Sequence, residues 1–158
     1  MNISAMHTPA NVKGSIERLE FLCSFIPPLL EAMNKDEMNA IPEPEKWSKK
    51  QILGHLIDSA ANNHHRFVRA QFEKSPTIFY DSDKWNAAGH YHKMSTESVV
   101  VFWRAYNAFL ANLLRQIPEE NYSRLCDTGG DQVTLGFVIV DYVVHLEHHL
   151  HQIVDYNK

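Results

Sequence analysis

The chain has 158 residues, 44% hydrophobic and 22% charged, with 6 Gly and 7 Pro, which excludes a fibrous or disordered chain and fits one globular domain over residues 1–158. Its formal net charge is −4 and its Lys and Arg are scattered, so the basic footprint of a nucleic-acid binder is missing. No apolar run approaches the roughly 18 residues of a membrane span, MNISAMHTPANVKGS lacks the basic-then-apolar order of a secretory leader, and Cys23 and Cys126 have neither metal nor redox spacing; a cytoplasmic protein is expected.

Ile16, Leu19, Leu22 and Phe25 or Ile26 keep helical spacing, which predicts a first helix from Pro9 to about Met33, kinked or restarted at Pro27-Pro28. Cys23, inside LEFLCSFI, is assigned to the core. After AIPEPEKW, Ser48 and Gln51 have the spacing of a capping box, which starts a second helix running to about Phe72; Lys49-Lys50 at its start reads as a solvated face. The stretch KSPTIFYDSDKWNAAGHYHKMS is too rich in turn formers to be one regular element and too aromatic for a loose linker, and connections of that length usually carry function. Its His90-Tyr91-His92 is read as incidental.

A third helix is predicted from Thr96 to Gln116, ended by Pro118, with Phe102, Tyr106, Phe109 and Leu113 as its core stripe, flanked by Trp103 and Leu110. Asp127 to Asp131 is a turn, with a short hairpin around it, and Cys126 beside it is placed at an exposed position without an activating pattern. Thr134 caps a last helix that continues through the histidine-rich HLEHHLHQI to about Tyr156. Four helices without a convincing strand pattern predict an all-α four-helix bundle with long connections.

On a helix, residues four apart differ by roughly 40° and lie about 6 Å apart along the axis, so His145 and His149 can share a metal; pairs three apart, His145 with His148 and His148 with His151, also can. The apolar stripe selects among them. With His145 at zero, Leu135, Ile139, Leu146, Leu150 and Ile153 fall between about 80° and 140°, which puts His149, at about 40°, at the core edge. His148 lies further round at about −60°, while His151 and Glu147, at about 240° and 200°, face away. That position of Glu147 excludes a metalloprotease-type general base on this helix. The competing reading is an exposed polar helix end.

The second helix offers a candidate third ligand, His55, heading a polar row of Ser59, Asn62 and Arg66 beside the apolar face of Leu53, Leu56, Ala60 and Phe67; the competing reading of the row is an ordinary solvated face. His64 lies opposite His55 and is expected to be exposed, with His65 intermediate.

The Trp47 position with GHLIDSAANNHHRF, then PTIFYDSDKW, then DYVVHLEHHLHQI resembles, in order and approximate spacing, the motifs of the DinB-like superfamily of metal-binding four-helix bundles, nearest to its YfiT branch of metal-dependent hydrolases and bacillithiol transferases. The resemblance implies a metal triad of His55, His145 and His149, and a homodimer; Tyr80-Asp81 to Trp85 matches the family's connection and implies no more than a pocket edge.

Three neutral imidazoles leave a divalent ion, Zn²⁺ or Ni²⁺, with its charge intact and an open position. The favoured expectation is activation of a small-molecule thiol for S-transfer to an electrophile, with Ser59, Asn62 and Arg66 binding the polar parts of the thiol or substrate. Asp141, one turn before His145, is a candidate to orient a ligand imidazole. The alternatives are a hydrolase that activates water, with Asp58 or Asp141 as proton acceptor, and a non-catalytic metal-binding stress-response protein.

Overall fold

A computed structural model describes residues 9–157; the first eight residues, and with them the start of MNISAMHTPANVKGS, lie outside it. The elements in order are α1 (Pro9–Glu31), α2 (Lys35–Asn39), α3 (Lys49–Arg69), α4 (Ser82–Gly89), a 3-10 turn (Tyr91–Lys93), α5 (Thr96–Gln116), a second 3-10 turn (Glu119–Ser123), β1 (Leu125–Asp127), β2 (Gln132–Thr134) and α6 (Leu135–Leu150).

Local chemistry accounts for the boundaries. Ser48 Oγ accepts from Gln51 N at 3.2 Å while Ser48 N donates to Gln51 Oε1 at 3.0 Å, the reciprocal capping box that starts α3. Its far end is closed by Arg124, which donates to the carbonyl of the capping residue Ala70, a group the helix leaves open, and to that of Glu73 just beyond it. Ser95 caps α5 and Thr134 caps α6. The chain does not restart at the proline pair: α1 is continuous through Pro27 and Pro28 to Glu31, and each proline forgoes one helical N–H bond, those to the carbonyls of Cys23 and Ser24.

The last helix also stops earlier than predicted, at Leu150, because the chain turns back so that Ile153, Val154 and Tyr156 are buried. Tyr156 stacks on His151, with ring centroids 4.2 Å apart and planes 9° from parallel, and its hydroxyl donates to Glu147 at 3.4 Å. His151 is therefore half-buried rather than solvent-facing.

The four long helices form a bundle in which α1, α5, α3 and α6 are neighbours in that order around the ring. The consecutive long helices α1 and α3, and likewise α5 and α6, thus face each other across the bundle, an arrangement that the long connections permit. One of those connections holds α4, capped by Asp81, and the 3-10 turn. Another holds the antiparallel β1–β2 hairpin, with Leu125 opposite Thr134, and the stretch Pro76–Ile78 bonds to its Asp127. At the hairpin tip Gly129 has φ +104, and a Cβ there would meet the Phe79 ring at 2.4 Å, so only glycine fits.

The core stripe of α5 is one position away from the one expected. Val99, Val100, Trp103, Leu110 and Leu114 are buried, whereas Phe102 and Phe109 are each 52% exposed and Tyr106 and Leu113 are half-buried. The true stripe contains a polar residue, Asn107, fully buried because its Nδ2 donates to Trp103 O at 2.9 Å and its Oδ1 accepts from Tyr142 Oη at 2.5 Å. Two further expectations fail. Cys126 is fully buried beneath the hairpin, and Lys50 is buried with its ammonium donating to the carbonyls of His92 and Met94, which pins the 3-10 turn to α3. Lys49 pairs instead with Glu37 at 2.8 Å. Among the described residues, no helix is long and apolar enough to cross a membrane.

Candidate metal centre

The α3–α6 seam brings three imidazoles together. His55 is buried in the first half of α3, and His145 and His149 are successive-turn neighbours near the end of α6. One ring nitrogen from each lies within 4.8 Å of the other two. His55 Nε2 and His145 Nε2 are 3.3 Å apart. Two nitrogens bound tetrahedrally at about 2.05 Å from a zinc ion stand about 3.3 Å apart, so this pair already has the spacing of one edge of such a site.

Two of the three rings are held from behind. Trp47 packs on His55 with centroids 5.0 Å apart, and Gln152 Oε1 is 3.1 Å from His149 Nδ1, which leaves Nε2 of His149 for an ion. Gln152 Nε2 also lies 3.3 Å from His148 Nε2, so His148 adjoins the cluster through this amide and is itself exposed.

Electrostatics keep these rings neutral. Burial, reinforced by the neighbouring histidines, pushes His55 and His145 down from 6.5 to about 4, and burial also lowers His149. At neutral pH the cluster offers lone pairs rather than charge, which suits a divalent cation. Because His145 and His149 are only half-buried, the open side of the cluster faces outward past α6.

The polar row on α3 is built, but much of it is engaged by the protein. Arg66 donates through Nε and Nη2 to Ile78 O, at 3.2 and 2.8 Å, and through Nη1 to Asn63 Oδ1, fastening the 74–80 connection to α3. Asn62 is buried and donates to Asp58 O at 2.9 Å. Ser59 is buried with its hydroxyl accepting from Asn63 Nδ2 at 3.3 Å, and Tyr80 stacks edge-on with Trp85 at 5.6 Å. Asp141 is exposed and makes no hydrogen bond to His145; its charged neighbour is Arg66.

Gly54, Tyr91 and Asn86, which the sequence left without a role, build the contact between the helix that carries His55 and the connection after it. Gly54 lets the Tyr91 ring lie directly on α3, since a Cβ there would be 2.2 Å from Tyr91 Cδ2. From that position Tyr91 Oη donates to Asp58 Oδ1 at 2.5 Å. Burial raises the Asp58 carboxyl to about 6 against the opposing effect of this bond. Asn86 of α4, also buried, donates to Gln51 O at 2.7 Å.

The remaining histidines lie elsewhere. His64, expected to be exposed, is half-buried with Nδ1 3.0 Å from Tyr106 Oη and its ring against Phe109, while His65 is exposed rather than intermediate. Glu147 faces α1, where it accepts from Arg18 at 3.0 and 2.5 Å. Cys23 and Cys126 are buried, and burial pushes the Cys23 thiol up to about 12 and raises that of Cys126, so neither is a nucleophile.

A sequence model of the DinB superfamily matches residues 26–153. The chain belongs to the DinB superfamily. Its likeness to individual members is more distant: a Bacillus cereus (strain AH820) protein named "Putative metal-dependent hydrolase" is 26% identical over 147 residues, 90% of this chain and 83% of that one. Proteins of the same name from Bacillus anthracis match equally well. Among solved structures, YfiT from Bacillus subtilis, described as a probable metal-dependent hydrolase with an unusual four-helix bundle topology, superposes with a TM-score of 0.83 over 92% of this chain and 85% of its own at 21% identity. That agreement establishes the four-helix bundle, and the α1–α5–α3–α6 neighbour order is how this DinB-superfamily chain builds it.

Proposed function

We propose that this DinB-superfamily protein is a metal-dependent hydrolase whose divalent ion is held by His55, His145 and His149. The observation that carries the reading is three neutral imidazoles from two helices converging within 4.8 Å, with one side of the cluster open. Zn²⁺ or Ni²⁺ suits three nitrogen donors. An ion bound there supplies Lewis acidity and lowers the pKa of a water or thiol reaching its open side. The chain's own part is orientation: Trp47 and Gln152 hold the His55 and His149 rings, and the polar row of Ser59, Asn62 and Arg66 runs along the same helix as His55. The names of the Bacillus relatives favour hydrolysis.

A second reading uses the same ion to activate a small-molecule thiol for S-transfer to an electrophile. It is favoured by Arg66, which keeps N–H groups beyond those given to Ile78 and Asn63 and whose charge is felt at His145, a cation suited to a thiol's carboxylate. The deciding assay follows turnover of a panel of activated esters, amides and alkyl electrophiles by metal-loaded protein, with and without thiols. Turnover that needs metal alone supports the hydrolase, turnover that needs both supports transfer, and metal binding without either outcome leaves a metal-binding stress-response protein.

The proposal extends to two contexts. A second copy is the expected partner of the exposed α5 row Ser98, Val101, Phe102, Ala105, Ala108, Phe109 and Asn112, which carries no charge in a chain of net charge −4 and so lets two like-charged copies meet. Sedimentation of wild type beside Phe102→Glu tests it: a dimer that becomes a monomer supports the pairing, and a wild-type monomer refutes it. The cytoplasm is the expected compartment, where two buried free thiols stay reduced.

A further inference from the structure

Among the described residues, five buried side-chain polar atoms lack a hydrogen-bond partner, and three of them, His55 Nδ1, Asp58 Oδ2 and Asn86 Oδ1, sit on α3 and on the α4 that packs against it. The three residues are 4%, 4% and 2% exposed, so bulk water does not reach them. Buried polar atoms in native proteins are almost always paired, and three unmet ones together call for a common explanation.

Their positions and polarities are complementary. On the α3 wheel Gln51 and Asp58 lie to the same side of His55, by about 40° and 60°. Asn86 is anchored to the Gln51 carbonyl, the group at which the His55 backbone N–H points in an α-helix, and Tyr91 is anchored to Asp58. With its Nδ2 committed to that carbonyl, Asn86 turns Oδ1 elsewhere as an acceptor. Asp58 has one oxygen on Tyr91 and one free acceptor. His55 Nε2 faces His145, so Nδ1 is the nitrogen that bears the proton when Nε2 offers its lone pair. The three atoms are thus one donor and two acceptors.

We propose that one buried water joins them, accepting from His55 Nδ1–H and donating to Asn86 Oδ1 and Asp58 Oδ2, and that Asn86 and Asp58 are positioning residues for His55 as a metal ligand. Three bonds is the usual complement of a buried water. The bridge fixes the tautomer and rotation of the ring, and through Asp58 it makes the imidazole a better donor to the ion. Tyr91, seated on Gly54, closes the far end of the same chain of bonds.

This inference rests on the proposed metal site, and the experiment separates the two. Zinc affinity by chelator competition and the His55 tautomer by long-range ¹H–¹⁵N spectra are measured on wild type and Asn86→Leu, with helicity checked by circular dichroism. Wild type is expected to carry the proton on Nδ1 of His55 with and without zinc. Asn86→Leu, which cannot accept, is expected to bind zinc about 10-fold or more weakly and to lose the single tautomer. Should Asn86→Leu fail to fold, Asp58→Asn takes its place, with the same tautomer readout. Unchanged affinity and tautomer in a folded variant overturn the bridge. Zinc-free wild type with the His55 proton on Nε2 overturns it as well, whereas a wild type that keeps the Nδ1 proton yet binds no zinc refutes only the metal site.

Discussion

Metal affinity should be unusually resistant to acid, and the histidine environment sets how resistant. An ion competes with protons for each imidazole, so a ligand of pKa 6.5 costs about 1.5 log units of affinity at pH 5, and three such ligands cost about 4.5, roughly 30,000-fold. Here His55 and His145 are pushed down to about 4 by burial and by each other's neighbourhood, so at pH 5 each is already deprotonated and costs less than about 0.1 log unit. His149 is lowered too, so its cost stays below about 1.5. The expected loss between pH 7.5 and pH 5 is therefore under about 40-fold, with the steep decline beginning only near pH 4. Competition titrations against a chelator of known proton affinity, run at half-unit steps, measure this directly. A loss near 30,000-fold by pH 5 would refute the claim that burial keeps these rings neutral.

Further outcomes follow from the same contacts. In metal-free protein the two depressed histidines contribute stability that is fully present above about pH 6.5 and lost as pH falls toward 4, because the unfolded chain binds the extra protons; denaturant titrations read the slope. Asp58 acts in the opposite sense. Its raised pKa of about 6 makes folding less favourable as pH climbs from about 4 to 6, so Asp58→Asn should remove a penalty on the order of 2–3 kcal/mol from that window if its new amide finds partners, and a variant with an unchanged pH profile contradicts this. Gly54→Ala drives a methyl into Tyr91 and should cost about 1–3 kcal/mol, read as a lower Tm. Tyr142→Phe leaves Asn107 Oδ1 unmatched inside the bundle and should cost about 1–3 kcal/mol. His64→Ala and His151→Ala should retain metal, since neither ring belongs to the cluster.

The bundle and the histidine cluster were legible for a shared physical reason: each is written in helical periodicity. Capping residues Ser48 and Thr134 marked helix starts, and the wheel that separated His145 and His149 from His148 and His151 holds because α6 is regular through His149. Periodicity misled where a polar residue occupied a core position. Asn107 broke the apolar stripe of α5, and the aromatic row one position away, Phe102 with Phe109, looked more continuous although it lies outside. Burial of Lys50, Asn86 and Tyr91 could not be read from local pattern, because each depends on a partner about 35 to 44 residues away in sequence or, for Tyr91, on the missing side chain of Gly54. Gln152 carried a weak signal, three residues after His149, but its role depends on the helix ending at Leu150. Arg66 showed the opposite failure: its spacing placed it beside the site, and the contacts show that it also fastens the 74–80 connection.

The most direct test of the central claim is metal content per chain in tag-free protein, wild type beside His55→Ala, after loading with zinc and exhaustive dialysis. The account predicts about one divalent ion per wild-type chain and almost none in the variant, with both chains helical. A folded wild type that retains no metal, or a His55→Ala variant that retains as much as wild type, would contradict a site shared by α3 and α6.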